Sequence, residues 1–222
     1  MARKPDTDKR IAVLGLGRFG GSLALELMRQ RWEVIGVDAN PAVVQGYADQ
    51  LTHAAVANTT EETALRQLGI TDLTHAVVGI GTDLEAGILT TSLLADLGVA
   101  NIWAKAVSRQ HARILERVGA HNVVLPEHEM GERVAHLVTG HILNFIEFED
   151  DYALVKTRAP AEATDRTLAD SELRTRYGVT VVSIKRPGEN FTYATAGTTL
   201  YAGDILIVAG RTRDVEAFAS LG

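Results

Sequence analysis

The chain has 222 residues, of which 46% are hydrophobic and only five are proline, so it can bury one large core or two small ones. Its 22 Lys and Arg stand against 28 Asp and Glu, a net charge of −6 with no basic run, which argues against nucleic acid as a partner. With no cysteine, disulfides, thiolate catalysis and Cys-ligated zinc are excluded together, and a reducing cytoplasm is the expected compartment.

The N-terminal MARKPDTDKR is charged and lacks an apolar core, so it does not read as a signal peptide. No uncharged apolar run approaches the ~18 residues of a bilayer span, so direct membrane insertion is not expected and a membrane role would need a partner protein. From residue 10 to 125 short β-rich runs alternate with helical spacing. The runs are Ile11–Leu14, Val34–Val37, Ala54–Ala57, Ala76–Ile80, Ile102–Ala106 and Val123–Leu125. Between them, Gly20–Arg31 places Leu23, Leu27 and Met28 on one helical face. Asn40-Pro41 reads as a cap followed by proline at the first helical position. Thr59 and Glu62 have the spacing of a capping box. Further helices are expected at Leu84–Leu97 and Ser108–Val118. This α/β alternation predicts a Rossmann-type parallel sheet with right-handed crossovers over residues 1–127.

After Pro126 the pattern changes. Residues 128–146 read as a crossover helix with Met130, Val134, Leu137, Val138, Ile142 and Phe145 on one side. A second lobe, a second copy of the chain or the helix's own sheet would have to cover that stripe. Residues 147–222 then read as a small α+β C-terminal lobe. It opens on the acidic Glu147–Asp151, followed by a strand at Tyr152–Lys156, a helix at Asp170–Tyr177 and a strand at Val179–Lys185. A turn at Arg186–Glu189, strands at Phe191–Ala194 and Ile205–Val208, and a helix at Arg213–Leu221 complete it.

The chemistry concentrates near the start. Gly15-Leu16-Gly17-Arg18-Phe19-Gly20 follows a strand, opens a helix and precedes Asp38 at the end of the second strand. Gly15 would give the tight turn, Gly17 the close approach of a phosphate, and Gly20 close helix packing. The helix N-terminus offers N–H groups and a positive dipole end to an anion. Asp38 is placed to accept hydrogen bonds from a ribose diol, with Ala39 beside it, and would repel a 2′-phosphate. Arg18 suits a bidentate pair with a phosphate, or else is a solvated loop arginine. Phe19 is expected to pack on the scaffold.

Three more strand ends should reach the same crevice: Ala57-Asn58-Thr59, Ile80-Gly81-Thr82, and Lys105. Lys105, on a buried strand, implies an anion nearby or an ion pair. Glu127 and Glu129 bracket His128 and suit Mg²⁺ beside a triphosphate, or simply a solvated helix start. Neither GxSxG nor HExxH occurs, and no acid–base pair for hydride transfer stands out. No catalytic residue is assigned and no enzymatic activity is expected.

RIAVLGLGRFGGSLALEL, EVIGVDANPAVV, THAAVANTTEETALRQLGI, VVGIGTDLEAGILTTSLLADLGVANIWAKA and HNVVLPEHEMG resemble the RCK, or TrkA-like, family. Within it they resemble the cytoplasmic gating subunits of bacterial Ktr potassium transporters. The resemblance covers both lobes, and the single unit fits the Ktr type better than the tandem Trk type. It implies ATP or ADP in the N-lobe, and homodimers joined through the crossover helix into an octameric ring beneath a membrane K⁺ channel subunit. It carries Gly15, Gly17 and Gly20 over as the phosphate turn and Arg18 to a γ-phosphate, that of the neighbouring subunit included. Asp38 goes to the ribose, Asn40 to the sugar or base, and Asn58, Ile80 and Lys105 to the pocket wall. Glu127 goes to a divalent-cation site at the dimer interface. In some members a dimer of C-lobes binds cyclic di-AMP. Many of those carry proline around Ala194–Ala196, where this chain has none, which counts against that second ligand here. On the residues alone, NAD(H) suits the glycine turn and Asp38 equally, as the cofactor of an oxidoreductase or the signal of a redox sensor.

Overall fold

The computed structural model describes residues 9–138 and 141–222. The chain divides into two compact units, at Glu127 and His128.

The first unit holds six parallel strands: β1 (Arg10–Leu14), β2 (Glu33–Asp38), β3 (His53–Val56), β4 (His75–Val78), β5 (Asn101–Lys105) and β6 (Asn122–Val124). Their order is β3-β2-β1-β4-β5-β6, so the sheet is wound outward in both directions from between β1 and β4. Helices α1 (Arg18–Arg29), α2 (Pro41–Tyr47), α3 (Glu62–Gln67), α4 (Leu84–Asp96) and α5 (Arg109–Arg117) connect them. The central strands β1, β2 and β4 are largely buried on both faces, which is why they read as continuous apolar runs rather than as alternation. On one face Leu14, Leu65, Ile70, Leu94, Ile102 and Leu115 form the larger core cluster. On the other, Leu23, Leu27 and Met28 of α1 pack on Val13, Leu16 and Val34. Each fully buried Leu or Ile is worth about 1.5–3 kcal/mol.

The Asn40 cap is present: its side chain accepts from Ala42 N at 2.9 Å. The Thr59–Glu62 capping box is not. Glu61 is the N-cap of α3, without a side-chain bond. Thr59 is buried and shares a 2.8 Å hydrogen bond with Thr90 of α4, while Asn58 ties the turn through Thr60 N at 3.1 Å. A tertiary partner has displaced the local one.

Helix α6 (Pro126–Val138) is shorter than the sequence predicts, and the expected crossover helix 128–146 is corrected. Ile142 and Phe145 lie in a strand, β7 (Ile142–Phe148). The physical cause of the misreading is a bulge. Ile142 pairs with Thr157 and Asn144 with Lys156, so Leu143 is the extra residue. It turns two residues three apart onto the same buried face, which mimics helical spacing.

The second unit carries a five-stranded antiparallel sheet. It contains β7, β8 (Tyr152–Arg158), β10 (Thr180–Lys185), β11 (Thr192–Tyr193) and β13 (Ile205–Arg211), in the order β11-β10-β13-β8-β7. Two short strands, β9 (Arg166–Thr167) and β12 (Thr199–Leu200), pair beside it. The helix expected at 170–177 is two short ones, α7 (Leu168–Ser171) and α8 (Leu173–Tyr177), split at Glu172 in the left-handed region, φ +49°. With α9 (Thr212–Ala219) they cover a core of Phe145, Val155, Leu200, Leu206, Val208 and Phe218. Within this unit Leu137 of α6 packs on that core, whereas Met130, Val134 and Val138 are exposed.

Candidate nucleotide-binding site

A cleft of about 710 Å³ opens at the carboxyl ends of the parallel strands, where the sheet order reverses. Gly15 makes the turn out of β1 with φ +93°, and a Cβ there would stand 2.8 Å from Ile80 Cγ1. Gly20 lies beneath: a Cβ on it would fall 1.9 Å from the Gly15 carbonyl oxygen. The α1 backbone therefore rests on the turn itself. Gly17 differs. It has φ −61°, and a Cβ on it would find nothing within 4 Å, so only the open cleft faces it. It is the N-cap of α1, whose first-turn N–H groups have no intrahelical acceptor. A bare backbone beside a helix N-terminus is a cradle for a phosphate.

Asp38, at the end of β2, accepts from Leu16 N at 2.8 Å and from Asn40 N at 2.9 Å. One carboxylate thus ties the glycine turn to the start of α2. Its remaining lone pairs stay available to ribose hydroxyls. On the opposite wall, Lys105 at the end of β5 donates from Nζ to Glu127 Oε1 at 2.6 Å. The Lys105 side chain is 12% exposed and that of Glu127 64%. The Lys105 hydrogen bond, with a smaller contribution from the charge of Arg18, holds the Glu127 carboxyl below its ordinary range. In the free chain the ion-pair account of Lys105 therefore holds. Arg18 is exposed at the first position of α1. Phe19 is half-buried, packs on the scaffold as expected, and also lines the cleft with Lys105 Nζ 5.8 Å from its ring centroid.

The cleft brings together Gly15, Gly17, Arg18, Phe19, Asp38, Ala39, Asn58, Thr59, Ile80, Gly81, Lys105 and Glu127. Three expected residues do not line it: Gly20 packs under the turn, Asn40 caps α2, and Ala57 faces the core with its N–H on Asp38 O. Gly79, Asp83, Ala86 and Val107 line it in addition to the expected residues. Asp83 had a signal, an acid just before an apolar helix, and it caps α4 through Ala86 N at 3.0 Å.

Among the described residues no group of three or more His, Asp or Glu is arranged to hold a metal ion, and Oε1 of Glu127 is already taken by Lys105. The described residues of one chain therefore offer a cation at most single carboxylates, and a centre beside the phosphates would need the nucleotide or a second chain to complete it. In the second unit, Ala194–Ala196 line a separate cleft of about 520 Å³ with Arg174 and Val179–Val181.

Two domain families match the chain, the TrkA-N domain over residues 11–126 and the TrkA-C domain over 153–221. Ktr system potassium uptake protein A of Bacillus subtilis is 37% identical over 216 residues, 97% of each chain. The chain belongs to the Ktr potassium uptake protein family. Protein C of the same system in that organism is 37% identical over 95% of this chain and 96% of its own length. Protein A of Vibrio alginolyticus is 35% identical over 91% and 93%. Among solved structures, the RCK domain of GsuK superposes with a TM-score of 0.65 at 18% identity. It covers 99% of this chain and 48% of the GsuK chain, and attests the fold. As in that fold, this Ktr-family chain has a Rossmann-like N-lobe and an antiparallel-sheet C-lobe. Among the described residues no helix is long and apolar enough to cross a membrane.

Proposed function

We propose that this chain is the adenine-nucleotide-sensing, cytoplasmic gating subunit of a potassium uptake system, held at the membrane by a channel-forming partner. The observation that carries the reading is the cleft. It joins an open Gly17, the α1 N-terminus, the Asp38 carboxylate and the Lys105 ammonium at one strand-end crevice. Phosphates rest on the first-turn N–H groups of α1, Lys105 exchanges Glu127 for a phosphate oxygen, and Asp38 holds the ribose. Arg18 reaches the terminal phosphate, so ATP and ADP favour different arrangements of the chain. A ligand shifts an equilibrium only by its differential affinity for the two states, and Arg18 supplies that difference. No bond need be made or broken, so a binding and switching role, not catalysis, is assigned.

The exposed Met130, Val134 and Val138 of α6 support a homodimer formed through that helix, and closed rings built from such dimers, with eight chains the expected number. A dimer of C-lobes would be the place for cyclic di-AMP, and the lack of proline around Ala194–Ala196 counts against it in this chain.

The test is growth of a potassium-uptake-deficient cell at limiting K⁺. It would carry the membrane subunit alone, with this chain, or with its Gly17→Asp variant, whose carboxylate would occupy the phosphate position. The wild-type chain should raise uptake and the variant should not. Equal uptake in all three would overturn the gating role.

A further inference from the structure

His111 lies one turn into α5, 4% exposed, and lines no part of the cleft. Its two ring nitrogens are unlike. Nδ1 accepts from Val107 N at 3.4 Å, which places the proton of the neutral ring on Nε2. Nε2 is buried without a hydrogen-bond partner among the described residues. The main chain of His111 is fixed as well, its N–H donating to the Ser108 cap at 3.1 Å. The residue thus folds back across the helix start and holds the segment that links β5 to α5.

That segment is a wall of the cleft. Val107 lines it, as does Lys105 two residues earlier. A Cβ on Gly81 would stand 3.3 Å from Lys105 Nζ and 3.4 Å from Val107 Cγ1, so Gly81 packs beside this wall. A second proton on His111 would go to Nδ1. It would turn the acceptor for Val107 N–H into a donor facing a donor, and leave an imidazolium in the interior with no acceptor on either side.

We propose that His111 is a positioning residue for the nucleotide cleft, acting through Val107 N–H, and that its protonation loosens the wall and lowers nucleotide affinity. The proposal rests on the cleft being the nucleotide site. The charged side chains on the neighbouring elements are Glu85 and Asp96 on α4, Lys105 on β5, and Arg109, Arg113, Glu116 and Arg117 on α5. Burial lowers its pKa from the ordinary 6.5. The sign follows. A bound nucleotide keeps the Val107 bond formed, so the bound state takes up the proton less readily than the free state. Affinity is then full above the ordinary histidine range and falls as pH drops through the lowered value.

The experiment compares ATP binding by calorimetry at about pH 7.5 and about pH 5.5 for wild type and His111→Asn. The amide oxygen of asparagine can accept from Val107 N–H but cannot be protonated in this range. Titration of the nucleotide's own phosphate is common to both proteins and cancels in the comparison. Wild type should lose more affinity than the variant, and the excess should grow as the pH is lowered further. In parallel, the ring nitrogen resonances of His111 should show the Nε2–H tautomer at the higher pH and a lower pKa with ATP than without. The tautomer and titration also decide the matter if His111→Asn folds poorly. Equal losses in the two proteins, or a ring that titrates identically with and without ATP, would overturn the proposal and leave the cleft assignment standing. No nucleotide binding by wild type at the higher pH would overturn both.

Discussion

Lys105 Nζ stands 2.6 Å from Glu127 Oε1, so a nearly buried ammonium on β5 is neutralised by a carboxylate from the first turn of α6. The pair presets the cleft for an anion, because a phosphate oxygen can take the carboxylate's place without any new charge being buried. Lys105→Met should weaken ATP about tenfold or more, the worth of one charge-assisted hydrogen bond. Glu127→Gln, in buffer freed of divalent cations, should instead strengthen ATP several-fold, since it removes a competing anion. Calorimetry on the two variants checks the opposite signs. The pair forms above the ordinary carboxylate value and is lost as pH falls through the lowered one, so its influence on affinity disappears only in acid.

The three glycines of the turn should separate stability from binding. Gly20→Ala drives a methyl into the Gly15 carbonyl, and Gly15→Ala combines φ +93° with contact on Ile80. Each should cost about 2 kcal/mol or more and lower Tm by several degrees. Gly17→Ala meets nothing and should stay within about 1 kcal/mol of wild type, yet lose nucleotide affinity. Thermal unfolding and calorimetry on the same samples distinguish the two classes.

Asp38 couples the two properties. Its carboxylate holds Leu16 N and Asn40 N, so Asp38→Ala should destabilise by about 1–3 kcal/mol even without ligand, and weaken nucleotide as well. Stability unchanged with binding lost would mean that the two backbone bonds contribute nothing.

The buried hydroxyl pair Thr59–Thr90 gives a double-mutant test. Either single Thr→Val change strands a hydroxyl and should cost about 1–3 kcal/mol. The double change should cost less than the sum of the two. Additive denaturation energies would contradict the pairing.

Much of this fold could be read along the chain, for identifiable reasons. The central parallel strands announce themselves because both faces are largely buried, and Gly15, Gly17 and Asp38 because their spacing spans one βαβ unit. What escaped was decided in three dimensions. The Leu143 bulge gave β7 a helical spacing, Thr59 preferred Thr90 to a capping box, and Glu172 adopts a left-handed conformation that no neighbouring residue signals. Val107 and His111 carry no motif. Only the fold brings Val107 to the wall of the cleft and sets His111 behind it.

The most direct measurement is calorimetric binding of ATP, ADP, NAD⁺ and NADH to the purified wild-type chain and to Arg18→Ala. Micromolar or tighter ATP and ADP, with Arg18→Ala weakening ATP at least about fivefold more than ADP, is the predicted result. Tight NADH beside weak adenine nucleotides, or an Arg18→Ala effect equal for ATP and ADP, would contradict a switch that reads the terminal phosphate.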